Sequence, residues 1–259
     1  MRNKKKIVIK AGTSALTYPH GDINLNRISK LACVLTDLRS FGREIVFVTS
    51  GAVTVGAKRL KLAARPEETR VKQAASAVGQ AILMQMYEKF FAEFNQVVAQ
   101  VLLTKDVLDG AALSENAVNT FTALFEMGVI PIVNENDAIS VEELGFSDND
   151  ALSADVACLL KRDLLIILSD IKGLYDGDPS VNPDAKFIGE IFSVNETITC
   201  LAAETKSQNG TGGMGTKLAA AKQATENGID VIITSGENPS ELYDILNGKN
   251  IGTLFHAVK

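Results

Sequence analysis

Short apolar runs recur along the chain: Ile7 to Lys10, Glu44 to Thr49, Val97 to Leu103, Val129 to Val133, Leu164 to Leu168 and Val231 to Thr234. They are rich in Val and Ile and continuous rather than alternating, which is the pattern of strands buried on both faces. Between them lie segments with helical spacing. Val71, Ala74, Ala75, Val78, Ala81, Ile82 and Gln85 recur at three- and four-residue intervals, and Ala151 to Leu160 has the same character. Strands alternating with helices predict a mostly parallel sheet covered on both sides. Ligands of such sheets gather beyond the carboxyl ends of the strands. The residues there form a polar, glycine-bearing rim: Lys10-Ala11-Gly12-Thr13-Ser14, Ser50-Gly51-Ala52, Asn134-Glu135-Asn136-Asp137, Ser169-Asp170 and Ser235-Gly236.

A chain of 259 residues with 46% hydrophobic content can bury a full core, and residues 1–259 are expected to form one α/β domain. No internal repeat is apparent, although Val48-Thr-Ser-Gly and Ile233-Thr-Ser-Gly echo each other at two strand ends. Pro179, Pro183 and the polar stretch Lys206 to Gly215 read as surface loops rather than a linker. The net charge of −5 and pI near 5.2 provide no basic face for a phosphodiester backbone, so nucleic acid is not expected as a partner. Cys33, Cys158 and Cys200 are far apart and set among apolar or small residues, and they read as reduced core thiols. With His20 and His256 the only histidines, neither a histidine-rich metal site nor a Ser/His/Asp hydrolase is suggested, and no metal-binding residues are assigned. The basic start Met1 to Lys6 is followed by only Ile7-Val8-Ile9 before Lys10, too short for a secretion signal, and no apolar stretch approaches the ~18 residues of a membrane span. A cytoplasmic protein is expected.

Local chemistry concentrates in a few places. Gly210-Thr-Gly-Gly-Met-Gly-Thr-Lys217 precedes the alanine-rich segment Leu218 to Gly228 and reads as a glycine-rich loop running into a helix. Glycines let backbone N–H groups close on phosphate oxygens, the helix start adds a positive dipole end, and Lys217 adds a full charge. It is not a P-loop, because Gly215 is followed by Thr216 and then Lys217 rather than directly by lysine. A surface loop with an incidental lysine is the competing interpretation. Lys10 is a second cation at a strand end. Alone it suits a solvated edge, but paired with Lys217 it suits phosphoryl transfer, where positive charge is needed on both the transferred group and the leaving oxygen.

From Asp106 to Leu160 there is no Lys or Arg, while eleven Asp and Glu residues fall in that span. Such a segment suits an ammonium or a hydrated cation and ill suits an acceptor that already carries a phosphate. Within it, Asn134 to Asp137 and Ser147 to Asp150 are dense in amides and carboxylates. Capping chemistry accounts equally for Asp148 and Asn149 ahead of a helix expected near Asp150. Ser169 and Asp170 follow a buried strand and are placed to meet ribose or phosphate groups, and Tyr175 has the shape to lie along an adenine face.

Taken together, Val8-Ile-Lys10-Ala-Gly-Thr-Ser14, Val48-Thr-Ser-Gly-Ala-Val53, Lys72-Gln-Ala-Ala-Ser-Ala-Val-Gly-Gln80, Val133-Asn-Glu-Asn-Asp137, Phe146-Ser-Asp-Asn-Asp150, Ser169-Asp-Ile-Lys-Gly-Leu-Tyr175 and Gly210 to Lys217 resemble the amino acid kinase family, in its glutamate-phosphorylating form. The resemblance covers nearly the whole chain. It implies a three-layer α/β/α sandwich around a mostly parallel sheet, with ATP and Mg²⁺ as cosubstrate and ion and L-glutamate as acceptor. Lys10, Lys217 and Asp150 match the catalytic positions. Lys10, Ser169, Asp170, Tyr175, Thr211, Gly212, Gly213, Met214, Gly215, Thr216 and Lys217 match the ATP site, and Ser50, Gly51, Asn134, Asp137, Asp148 and Asn149 the acceptor site. Asp137 is expected to meet the glutamate ammonium, with Asn149 and Ser50 at its α-carboxylate. Many relatives continue into a C-terminal PUA domain, whereas this sequence stops at Lys259. The resemblance further implies a homo-oligomer (dimer or tetramer), feedback inhibition by proline and channelling of the product to the next enzyme. Acceptance of N-acetylglutamate, aspartate or UMP instead, or a silent sensor of ATP or an amino acid, are the alternatives.

Overall fold

The computed structural model describes residues 1–18, 22–140, 149–177, 179, 181–182, 184–203 and 213–258. In chain order, β1 (Lys6–Ala11) leads to α1 (Thr13–Leu16) and α2 (Leu25–Ser40), and β2 (Glu44–Val48) to α3 (Ala52–Arg59) and α4 (Thr69–Ala92). β3 (Val98–Leu103) leads to α5 (Lys105–Asp109) and α6 (Ala111–Glu126), and β4 (Ile130–Glu135) to α7 (Asn149–Leu159). β5 (Leu164–Ser169) is followed by the short β6 (Leu174–Tyr175), β7 (Phe187–Ile188) and β8 (Glu190–Ile191), then α8 (Glu196–Ala203) and α9 (Met214–Glu226). β9 (Asp230–Ser235), α10 (Glu241–Leu246) and β10 (Thr253–Phe255) complete the order.

The main sheet has eight strands in the order β3-β4-β2-β1-β5-β9-β10-β8. Its pairings are parallel except for β10 against β9. The strand alternation of side chains fills two separate cores. On one face Ile7, Ile9, Ile45, Phe47, Ile132, Ile166 and Leu168 meet α2, α4 and α10. On the other Val8, Val46, Val48, Val133, Leu165 and Ile167 meet α6, α7 and α9. The chain therefore forms the expected three-layer α/β/α sandwich, and each continuous Val/Ile run is continuous because both of its faces need apolar cover.

The six predicted strands all appear. β3 departs from the expectation of two buried faces: it is the sheet edge, and only Leu103 in it is buried. Cys33 and Cys158 are free thiols, half-buried rather than in the core. Burial raises the pKa of both, Cys158 to about 11. The side chain of Cys200, and His20, lie outside the described residues. Among the described residues no helix is long and apolar enough to cross a membrane.

One helix contact is unusually close. A Cβ placed on Gly56 of α3 would lie 1.7 Å from the Ala75 carbonyl oxygen of α4, and one on Gly79 would lie 1.8 Å from the Ala52 oxygen. The two backbones meet directly, so α4 is seated against α3 by the absence of side chains at both positions.

Candidate active site

Lys10 is the fifth residue of β1, and its position in the alternation turns it to the α7/α9 face of the sheet. There its Nζ donates to Asp150 Oδ1 at 2.5 Å, while Lys217 Nζ donates to Asp150 Oδ2 at 3.1 Å. The Thr216 hydroxyl lies 3.0 Å from Asp150 Oδ2 and 2.9 Å from the Gly213 carbonyl oxygen. Asp150 is fully buried, Lys10 is 3% exposed and Lys217 6% exposed. The interpretation of Lys10 as a solvated edge charge is thereby overturned: β1 is a central strand with a helix layer above it. Two ammonium groups on one carboxylate leave these three side chains with one positive charge in surplus. Buried charges are poor devices for stability, and a concentration of them at the carboxyl ends of parallel strands points to handling of an anion.

The glycine-rich segment differs from its sequence reading. α9 begins at Met214, with Gly213 as its extended N-cap residue. Gly215, Thr216 and Lys217 are therefore helical, and Lys217 projects from the first turn instead of a loop. The alanine content extends the helix backwards because a single Gly215 costs only about 1 kcal/mol in a helix. Thr211 and Gly212 lie outside the described residues. At the end of β5, Ser169 is buried and its hydroxyl donates to the exposed Asp170 at 2.9 Å, while its carbonyl accepts the Gly236 N–H at 2.7 Å. Tyr175 belongs to the separate β6–β7 pair and its ring stands edge-on to Phe187, centroids 5.4 Å apart.

A second cluster adjoins the first. Asn149, the residue before Asp150, places Nδ2 2.6 Å from the Thr49 carbonyl oxygen, 2.9 Å from Ser50 Oγ and 2.8 Å from Asn134 Oδ1. Gly51 takes φ 103° and caps α3, which lets the chain turn sharply beside Ser50. Asp137 accepts from the Ser76 hydroxyl at 2.8 Å. Burial pushes the Asp137 carboxyl above the ordinary carboxylate range, with the Ser76 hydrogen bond and the Arg65 charge pulling it part of the way back. Asp148 lies outside the described residues. Asn149 is thus in direct contact with both Ser50 and Asn134, and Asp137 lies just past the end of β4, which carries Asn134.

The sequence reading missed the contribution of α4. Gln73 donates to the Ser140 carbonyl at 3.1 Å, Ser76 to Asp137, Gln80 accepts from Asn134 Nδ2 at 2.8 Å, and the Tyr87 hydroxyl meets the Thr49 hydroxyl at 2.5 Å. These positions are three, four and seven residues apart, so they share one helix face. Polar residues repeating at that spacing were the available signal.

Comparison with known proteins places the chain in context. The model of the amino acid kinase family matches residues 5–235. A protein named glutamate 5-kinase from Clostridium perfringens is 54% identical over 263 aligned positions, covering 100% of this chain and 98% of its own. One of the same name from Listeria monocytogenes is 50% identical, covering 100% and 95%. Among solved structures, the carbamate kinase of Giardia lamblia bound to AMP-PNP superposes with a TM-score of 0.71 at 20% identity over 100% of both chains. The UMP kinase of Bacillus anthracis gives 0.67 at 16% identity, covering 100% of this chain and 98% of its own.

Proposed function

The chain belongs to the amino acid kinase family, and from that premise we propose that it transfers the γ-phosphoryl group of ATP to the side-chain carboxylate of L-glutamate. The product is L-glutamyl 5-phosphate, and the reaction is the first step of proline biosynthesis. The buried Lys10–Asp150–Lys217 cluster carries the phosphotransfer reading, and full-length similarity to proteins named glutamate 5-kinase supports the acceptor.

Each residue has a physical task in this reading. A glutamate side chain has an unperturbed pKa near ~4.3, so the acceptor is already ionised at neutral pH and no general base is required. Asp150 holds the two ammonium groups in place rather than removing a proton. Lys10 and Lys217 oppose the charge that develops on the transferred group and on the leaving oxygen. The start of α9, with Gly213 to Lys217, meets the phosphates with backbone N–H groups and the helix dipole, and Ser169, Asp170 and Tyr175 serve the rest of the nucleotide. Ser50, Gly51, Asn134, Asp137 and Asn149 hold glutamate.

Among the described residues, Asp150, engaged by both lysines, and the exposed Asp170 after β5 are carboxylates at this end of the sheet. That donor set fits a Mg²⁺ ion carried mainly by phosphate oxygens and water; when bound, the ion neutralises phosphate charge. A single-domain chain, homo-oligomeric assembly, inhibition by proline and a cytoplasmic location belong to the same proposal.

The test is ATP- and Mg²⁺-dependent acyl phosphate formation, trapped with hydroxylamine, across L-glutamate, N-acetylglutamate, L-aspartate and no acceptor. Signal with glutamate alone is expected. Equal signal with another acceptor, or none with glutamate, would remove the assignment.

A further inference from the structure

Gln80 presents a problem of its own. It is 7% exposed, its Oε1 accepts from Asn134 Nδ2, and its Nε2 is buried with no hydrogen-bond partner among the described residues. An orphaned buried donor is unfavourable and calls for a reason. An apolar side chain of similar length would fill the same space without it, so the oxygen must serve something that packing does not.

What it serves can be traced without ambiguity over which amide atom is nitrogen. The backbone N–H of Glu135 donates to Asn134 at 2.9 Å, and a backbone N–H can only donate, so that Asn134 atom is the oxygen. Asn134 Nδ2 must then face Gln80. The Thr49 carbonyl can only accept, so the Asn149 atom 2.6 Å from it is the nitrogen. The same nitrogen faces Asn134 Oδ1 and Ser50 Oγ. Three protein oxygens surround the two hydrogens of one amide group, so none is left for a ligand. Among the described residues nothing donates to Asn149 Oδ1.

We propose that Gln80 is a positioning residue which, through Asn134, locks Asn149 with its amide nitrogen towards the protein and its carbonyl oxygen towards the acceptor, so that the pocket selects a substrate carrying an ammonium group. The proposal rests on the glutamate reading and revises it in one respect. Asn149 was expected at the α-carboxylate, but its free group is an acceptor and belongs with Asp137 at the ammonium. Ser50, whose oxygen already accepts from Asn149, keeps its hydroxyl hydrogen for the carboxylate.

The experiment compares wild type, Gln80→Met and Gln80→Glu. It measures KM for glutamate and for ATP, the melting temperature, and the inhibition constant of glutarate, which is glutamate without its ammonium. In Gln80→Met the glutamate KM should rise about tenfold, with ATP KM, glutarate inhibition and melting temperature little changed. Gln80→Glu keeps an oxygen opposite Asn134 Nδ2 and should restore the glutamate KM. An unchanged glutamate KM in Gln80→Met overturns the proposal, as does a parallel weakening of glutarate, which would mean lost pocket shape rather than lost polarity. A wild-type protein that forms acyl phosphate with none of the acceptors above overturns the glutamate reading itself, and the proposal with it.

Discussion

Asn149 and Asp150 are neighbours at the start of α7, yet their side chains join different clusters: the amide of one is held by Thr49, Ser50 and Asn134, and the carboxylate of the other lies between Lys10 and Lys217. One peptide unit therefore joins the proposed acceptor cluster to the proposed phosphate cluster. A displacement of the α7 start would disturb the hydrogen bonds of both clusters at once.

Asp150→Asn tests this junction most directly. It removes the buried carboxylate that both ammonium groups engage, and breaking such a buried pair destabilises by about 3–5 kcal/mol. Urea unfolding should show a lowered midpoint, and residual kcat should be small even where the protein is fully folded. An unchanged midpoint would mean that the lysines are compensated elsewhere.

Lys217→Ala removes a charge assigned to the transition state and leaves the acceptor cluster intact. We expect kcat to fall about 10²–10³-fold, with the glutamate KM within about twofold of wild type. A large rise in glutamate KM at constant kcat would reassign Lys217 to ground-state binding.

Asp137 sets a pH dependence whose sign follows from its raised pKa. Acidification protonates it before it would protonate an exposed aspartate, so glutamate affinity should decline as pH falls from neutrality towards about 4. Asp137→Asn should flatten that profile and raise the glutamate KM. The stability effect runs the other way. A raised folded-state pKa contributes stability below the unfolded value and loses it as pH rises through the folded value. At pH 7 Asp137→Asn should accordingly melt no lower than wild type, and its relative advantage should shrink in acid.

Gly79→Ala forces a methyl group against the Ala52 carbonyl. Separation of α3 and α4 should destabilise the protein by about 1–3 kcal/mol. Because α4 also carries Ser76 and Gln80, the glutamate KM should rise more than the ATP KM. Equal effects on both would show that α4 positions nothing in particular.

The sheet was legible because its central strands need apolar cover on both faces, and short continuous apolar runs such as Leu164 to Leu168 have few other uses. β10 was not, since Thr253-Leu254-Phe255 is only three residues long and reverses direction against β9, where the other pairings of the central strands are parallel. The residue types of the phosphate cluster were visible at strand and helix ends, but the burial of Lys10 was not, because it depends on α7 and α9 closing over β1. The helical start at Met214 was hidden by its glycines. The α4 stripe had the right spacing, yet Gln73, Ser76 and Gln80 gain meaning only from the strand ends they reach.

The sheet order has a consequence for synthesis. β1 is made early, but its partner β5 follows more than 150 residues later, and Lys217 later still. Throughout most of translation Lys10 has neither Asp150 nor Lys217 beside it. A partly made chain can therefore bury the apolar faces of α2 and β2 while the Lys10–Asp150–Lys217 cluster is still incomplete, so the cluster closes only once α9 has been made and packed.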